Sequence, residues 1–183
     1  MIIAVTGMPL AGKGVVASML EQRGYPRVLM SAVLKEEMAR RKITIDYDSI
    51  LEFATNLRRE RGNGAVAELC VPYFDKLLKK SAVVVLDGVR SPDEITVMKK
   101  KYGDDFVLIA VTATFSNRFK RLGREDHAET EASNVEELEN RDEKELSFGL
   151  GRVIESADHI IENDGTFESY KRKIDSLFAE LGI

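Results

Sequence analysis

Five short apolar runs, at residues 2–6, 27–30, 82–87, 107–113 and 159–162, punctuate the chain, and stretches with helical periodicity fill the intervals. Those stretches lie near 13–23, 33–41, 48–61, 65–79, 92–102, 115–123, 134–146 and 166–181. The runs are continuous in Val, Ile and Leu instead of alternating with polar residues, as strands covered on both faces require. Strand–helix alternation of this kind predicts a doubly wound α/β fold around a five-stranded parallel sheet. Right-handed crossovers then bring the loops after residues 6, 87 and 113 to one sheet edge, where ligands of such folds sit. Pro72 falls within the 65–79 pattern and predicts a kink or a new turn there.

Two segments interrupt the alternation. Residues 31–80 insert three helical stretches between the second and third runs. Residues 123–145 are almost wholly polar, with Val135 and Leu138 as their sizeable apolar anchors, so they are expected to be mobile. Arg124 and Arg141 stand near the two ends of this segment, which reads as an arginine-bearing lid over about 123–146, with a solvated surface loop as the alternative.

The first run enters Gly7-Met8-Pro9-Leu10-Ala11-Gly12-Lys13-Gly14-Val15, which fits G-x-x-x-x-G-K. Glycines at 7 and 12 let the backbone turn so that successive N–H groups face phosphate oxygens. Lys13 adds a mobile charge, and the helix that opens there adds the positive end of its dipole. Strand, loop, lysine and helix in register predict a nucleoside triphosphate site over residues 7–15.

Composition narrows this further. The 183 residues, 44% hydrophobic and 32% charged, predict one domain over 1–183 with a full core. A lone Cys70 in an apolar helical stretch reads as core in a reducing, cytoplasmic compartment. No run reaches the roughly 18 apolar residues that suggest a membrane span, and His127 and His159 have no metal-site spacing. A net charge of −4 argues against nucleic acid as a partner. Local arginine clusters, at 58–61, 118–124 and around 141, still suit a small, highly charged anion.

The third run ends in Leu86-Asp87-Gly88-Val89-Arg90. A strand-end carboxylate beside a phosphate loop can hold Mg²⁺ directly or through its water shell, which makes Asp87 the metal candidate. Arg90 is a candidate for a substrate phosphate, with a salt bridge to Asp93 or Glu94 as its alternative. Phosphoryl transfer needs in-line placement and charge neutralisation more than covalent chemistry. Arg118, Arg121, Arg124 and Arg141, with Lys13, are therefore the candidates to contact the moving group.

Gly7-x-Pro9-x-x-Gly12-Lys13-Gly14 and Leu86-Asp87-Gly88-x-Arg90 resemble the phosphate loop and substrate strand of adenylate kinases, within the P-loop nucleoside monophosphate kinase superfamily. Ser31-x-x-Leu34-Lys35 lies where that family carries an acceptor-phosphate arginine, which implies that Lys35 substitutes for it. The stretch Ala157-Asp158-His-Ile-Ile-Glu-Asn163-Asp-Gly165-Thr is similar to dephospho-CoA kinases, and implies that Asn163 and Gly165 lie beside the donor adenine. Arg141-Asp-Glu-Lys-Glu-Leu146 with Phe148-Gly-Leu-Gly151 resembles an archaeal group of adenylate-kinase-related proteins. The resemblance implies ATP with Mg²⁺ as donor. The acceptor would be a nucleoside monophosphate such as AMP, or a related dephospho-CoA-like molecule, with Lys35, Arg58, Gly88 and Arg90 on its side. Gly14-Val15 departs from these families by lacking a Ser or Thr hydroxyl. That departure keeps two alternatives open, a regulatory or scaffold protein with vestigial transfer and a partner-stimulated ATPase.

Overall fold

The structure, a computed structural model, describes residues 1–122 and 134–183. Five parallel strands, β1 (Ile2–Thr6), β2 (Arg27–Leu29), β3 (Val84–Asp87), β4 (Phe106–Thr112) and β5 (His159–Glu162), form one sheet in the order β2-β3-β1-β4-β5. The helices among the described residues are α1 (Lys13–Gln22), α2 (Met30–Arg40), α3 (Tyr47–Arg61), α4 (Ala65–Leu77), α5 (Pro92–Tyr102), α6 (Phe115–Phe119), α7 (Val135–Ser147), α8 (Leu150–Glu155) and α9 (Phe167–Glu180).

Side chains alternate across a strand, and here the alternation divides the core in two. Ile2 and Ala4 join Val84, Leu86 and Leu108 on the face covered by α2–α5 and α8. Ile3 and Val5 join Val85, Ile109 and Val111 on the face covered by α1 and α9. All five residues of β1 are buried, which fits its place between β3 and β4. That place also makes the end of β1 the point where connections leave in opposite directions, so the loop after Thr6 opens into the crevice.

Several boundaries differ from the sequence reading. Met30 begins α2 instead of ending a strand. Pro72 sits inside one continuous α4. The helix expected over 115–123 is only five residues long before a turn. A further helix, α8, follows Gly149, whose φ of +95° starts it from a left-handed residue. The expected lid falls partly outside the described residues, but α7 is docked: Leu138 is fully buried against Leu10, and Asp142 is also buried. A polar sequence therefore anchors itself through one buried leucine and the ion pairs of Asp142 and Glu145, which periodicity does not reveal.

Candidate phosphate-loop and acceptor site

The loop that leaves β1 is strained in the way an anion cradle requires. Gly7 and Gly12 adopt φ of +144° and +109°, and Leu10 sits at +60°, a region that side chains seldom enter. A Cβ on Gly7 would lie 2.2 Å from the Val111 carbonyl oxygen, so the loop is pressed against β4.

Every carbonyl from Met8 to Gly12 has a partner. Lys13 Nζ donates to Met8 O at 2.9 Å, and Arg118 Nη1 donates to Pro9 O at 3.0 Å. Arg121 Nη1 donates to Leu10 O at 2.8 Å and to Ala11 O at 3.1 Å. Asn163 Nδ2 reaches Ala11 O at 2.8 Å, and the Tyr170 hydroxyl reaches Gly12 O at 2.9 Å. Among the described residues no peptide bond is cis. In a planar trans peptide the N–H points opposite to the C=O, so the amides of Leu10, Gly12 and Lys13 turn away from these partners. Gripping the carbonyls aims the amides. With the start of α1, where Val15 N–H already donates to Gly12 O, they form a concavity of the kind that suits an anion.

This geometry gives Arg118 and Arg121 a role other than the expected contact with the moving phosphoryl group. Arg118 is 5% exposed and paired bidentately with Asp142, at 2.9 and 2.6 Å. Arg121 also donates to Asn163 O. Their hydrogen bonds hold the loop and tie it to α7 and to the end of β5, and neither residue lines the cavity described below. Asn163, expected beside the donor adenine, is buried against Ala11 and fills the space a Gly12 side chain would need. Gly165 is exposed in the turn before α9. Gly14 has open space around its Cβ position, and Val15 packs partly buried against the α1 side of the core.

A cavity of about 210 Å³ opens beside the loop. Gly7, Pro9 and Lys13 line its donor side, and Asp87 and Gly88 line the end of β3. Arg58 from α3, Arg90, and Arg141 and Glu145 from α7 line the rest, with apolar walls that include Met30, Leu34, Ile50 and Phe148. The fold thus brings together Gly7, Pro9, Lys13, Arg58, Asp87, Gly88, Arg90 and Arg141 of the expected residues. Lys35 lies exposed on α2, outside this wall, and Arg124 lies outside the described residues.

Two carboxylates, Glu94 and Glu145, order Arg58 and Arg90. Glu94, 1% exposed, accepts from Arg58 Nη2 at 3.1 Å and from the Arg90 amide at 2.8 Å. It also completes a capping box with Ser91, a signal legible as Ser-x-x-Glu. Arg58 further lies over the Phe148 ring at 5.2 Å. The Arg90 side chain pairs with Glu145 at 3.0 Å instead of with Asp93 or Glu94, and Glu94 meets only its backbone amide. Nothing local in the sequence marks Glu145 or Asp142 as partners, because each meets its arginine from another element.

Asp87 is 6% exposed and bonded to Arg27. Burial works against the charge of Arg27, but the Asp87 and Glu21 carboxylates more than offset this and raise its pKa. Among the described residues no cluster of His, Cys, Asp or Glu could hold a metal unaided. One strand-end carboxylate beside an amide cradle fits Mg²⁺ carried on nucleotide phosphates and retaining waters. Cys70 is fully buried and its thiol is pushed up to about 12, chiefly by burial, so it is no nucleophile.

The turn after β5 is tied to the start of α6 by Asp164, which accepts from the Thr114 amide at 2.8 Å and from Asn117 Nδ2 at 2.9 Å. Hydrogen bonds from Asn117 and then Thr114 hold its carboxyl below the usual 3.8. The stabilisation is therefore present above pH 3.8 and lost as pH falls through the lowered value. Asp164→Asn is expected to destabilise the protein at pH 6 and to flatten the loss of stability below pH 4. Denaturant unfolding at pH 6 and pH 3 checks this.

No protein-family model matches the chain. Related sequences do. The chain is 40% identical to the UPF0200 protein of Thermococcus onnurineus, over 99% of this chain and 98% of that one. It is also 40% identical to the UPF0200 protein of Pyrococcus furiosus, over 98% and 96%. The UPF0200/UPF0201 protein of Archaeoglobus fulgidus is 38% identical over 98% of this chain, which spans only 55% of that longer protein. Among solved structures, TT1252 from Thermus thermophilus superposes with a TM-score of 0.63 at 21% identity, covering 99% of this chain and 97% of that one. Shikimate kinase from Bacteroides thetaiotaomicron gives 0.60 at 16% identity, covering 100% and 99%. At these identities the likeness is one of fold, and the fold is of the P-loop nucleoside monophosphate kinase type. The chain belongs to the UPF0200 family and carries it on a P-loop kinase-type fold.

Proposed function

We propose that this protein is an ATP-dependent small-molecule kinase. It transfers the γ-phosphoryl group to a nucleoside monophosphate, AMP among the candidates, or to a related nucleotide-like acceptor. The observation that carries this reading is the shared cavity, which has Lys13 and the loop on one wall and Arg58, Arg90 and Arg141 on another. An acceptor there lies next to the donor phosphates, which is the in-line placement that phosphoryl transfer needs. The acceptor oxygen attacks the γ-phosphorus, the bond to the β–γ bridging oxygen breaks, and ADP leaves.

Each residue then has a task. The loop amides bind the phosphate chain, and Lys13 exchanges its Met8 carbonyl contact for phosphate oxygens. Asp87 would hold Mg²⁺ with the nucleotide, and the ion would neutralise charge on the phosphates. Arg141 faces the acceptor and the moving group, while Arg58 and Arg90, ordered by Glu94 and Glu145, bind the acceptor. Donor adenine sits toward Asn163 and Gly165 beyond α6. The segment around 123–146 is the lid, with α7 its docked part. No helix among the described residues is long and apolar enough to cross a membrane, and a cytoplasmic enzyme is the reading that suits a lone buried thiol.

A second reading, the partner-stimulated ATPase, draws support from the Archaeoglobus fulgidus relative, in which this chain's match is joined to further sequence under the name UPF0200/UPF0201. One assay separates the readings. ADP formation from ATP–Mg²⁺ is followed with and without a panel of acceptors. Turnover that requires an acceptor is expected, and its absence from every arm contradicts the kinase. Acceptor-independent hydrolysis raised by a UPF0201 protein points to the ATPase instead.

A further inference from the structure

The carboxylates that order the acceptor arginines also constrain what the acceptor can be. Three cations, Arg58, Arg90 and Arg141, face two carboxylates, Glu94 and Glu145, so that end of the cavity carries a single net positive charge. Arg58 already spends a hydrogen bond on Glu94 at 3.1 Å, and Arg90 is ion-paired with Glu145 at 3.0 Å. A doubly charged phosphate monoester seated on Arg90 would meet the Glu145 carboxylate at close range, with like charges in a partly enclosed space.

Two buried atoms here lack hydrogen-bond partners among the described residues, Arg141 Nη1 and Glu145 Oε2. They belong to residues four apart on α7, which share one helix face, and both residues line the cavity. One is a donor and the other an acceptor, and buried polar atoms of this kind are normally satisfied. A hydroxyl satisfies both atoms at once, offering its oxygen to Arg141 and its O–H to Glu145. The apolar walls from Leu34, Ile50 and Phe148 suit the uncharged body of such a molecule.

We infer that the acceptor is phosphorylated on a hydroxyl and not on a phosphate, and that Glu145 Oε2 receives the hydroxyl proton. This rests on the kinase reading and selects one of its two branches. As the acceptor oxygen bonds to the γ-phosphorus, its O–H bond breaks and the proton passes to Glu145; the bridging O–P bond breaks and ADP leaves. Arg90 holds the other carboxylate oxygen and so fixes the orientation of the base. The product is a phosphate monoester.

The test incubates the full-length protein with ATP–Mg²⁺ and two sets of probes, followed by ³¹P NMR. One set is the four common ribonucleoside monophosphates, and the other is the parent nucleosides with small hydroxy acids. A new monoester resonance is expected, whereas a new phosphoanhydride resonance overturns the inference. Glu145→Gln preserves size and the Arg90 contact, and is expected to lower kcat by about 10²-fold or more with KM and ATP affinity little changed. Glu145→Asp, which keeps the charge but retracts it, is expected to retain intermediate kcat, and serves if the glutamine variant does not fold. Monoester formation that both variants leave unchanged overturns the assignment while the kinase survives. A wild-type protein that binds ATP but phosphorylates neither set overturns it as well. If ATP does not bind, the kinase reading falls and takes this inference with it.

Discussion

Asp142→Ala is expected to lower the unfolding free energy by about 3–5 kcal/mol, the usual consequence of removing one partner of a buried ion pair. The Arg118 and Asp142 side chains are 6% and 13% exposed, and their two hydrogen bonds are short and parallel. Without Asp142 the guanidinium stays buried and retains Pro9 O as a neutral acceptor. For a chain of this length that loss corresponds to a fall in Tm of about 6–20 °C. The damage extends beyond stability, because the same pair joins α7 to the phosphate loop. ATP affinity is expected to fall with it, since the loop carbonyls lose their fixed direction. Replacing both residues by apolar ones, Arg118→Met with Asp142→Leu, is expected to recover much of the stability and little of the ATP affinity. Thermal unfolding and nucleotide titration of the single and double variants measure both. A single-variant loss below about 1 kcal/mol would mean that the pair is not desolvated.

Gly7→Ala is the second change with a large expected effect. The added Cβ would stand 2.2 Å from Val111 O, a backbone atom inside β4 that cannot turn aside. The φ of +144° is itself outside the range that alanine adopts easily. Overpacking contributes about 1–3 kcal/mol, and the strained backbone contributes about 1–3 kcal/mol more. Relief requires the loop to move away from β4, which also misdirects the amides. Weakened ATP binding is expected even under conditions where the variant remains folded. Gly14→Ala is the matched control, because its Cβ meets nothing within 4 Å. Unfolding curves and ATP titrations of the two variants side by side check this. Equal behaviour of the two would show that the loop is not braced as described.

The strands and the loop were legible because local rules determine them. Continuous Val and Ile runs specify buried parallel strands, and Gly7, Gly12 and Lys13 stand at the spacing a phosphate cradle needs. Asp87, Gly88 and Arg90 reach the cavity because a strand end in this topology points there. The arginines were less legible. Arg121 finds carbonyls 110 and 111 residues away, and a backbone acceptor leaves no side-chain signature. Arg118 finds an aspartate 24 residues later, on a helix whose polar composition suggested a loose segment. Tyr170 joins the loop from α9 with only its core periodicity to mark it. Glu94 could have been found, since Ser91-Pro92-Asp93-Glu94 spells a capping box. Its second duty, holding Arg58, depends on how α3 crosses α5 and is a property of the fold.

These points converge on a loop whose carbonyls are held so that its amides and Lys13 enclose a triphosphate. Isothermal calorimetry with ATP and Mg²⁺ tests that directly, on the wild-type protein and on Lys13→Ala. Saturable one-to-one binding is the expected result, with affinity reduced at least tenfold in the variant and no change in its folding. No heat from the wild-type protein with ATP or GTP, or equal affinity in both proteins, would contradict the account.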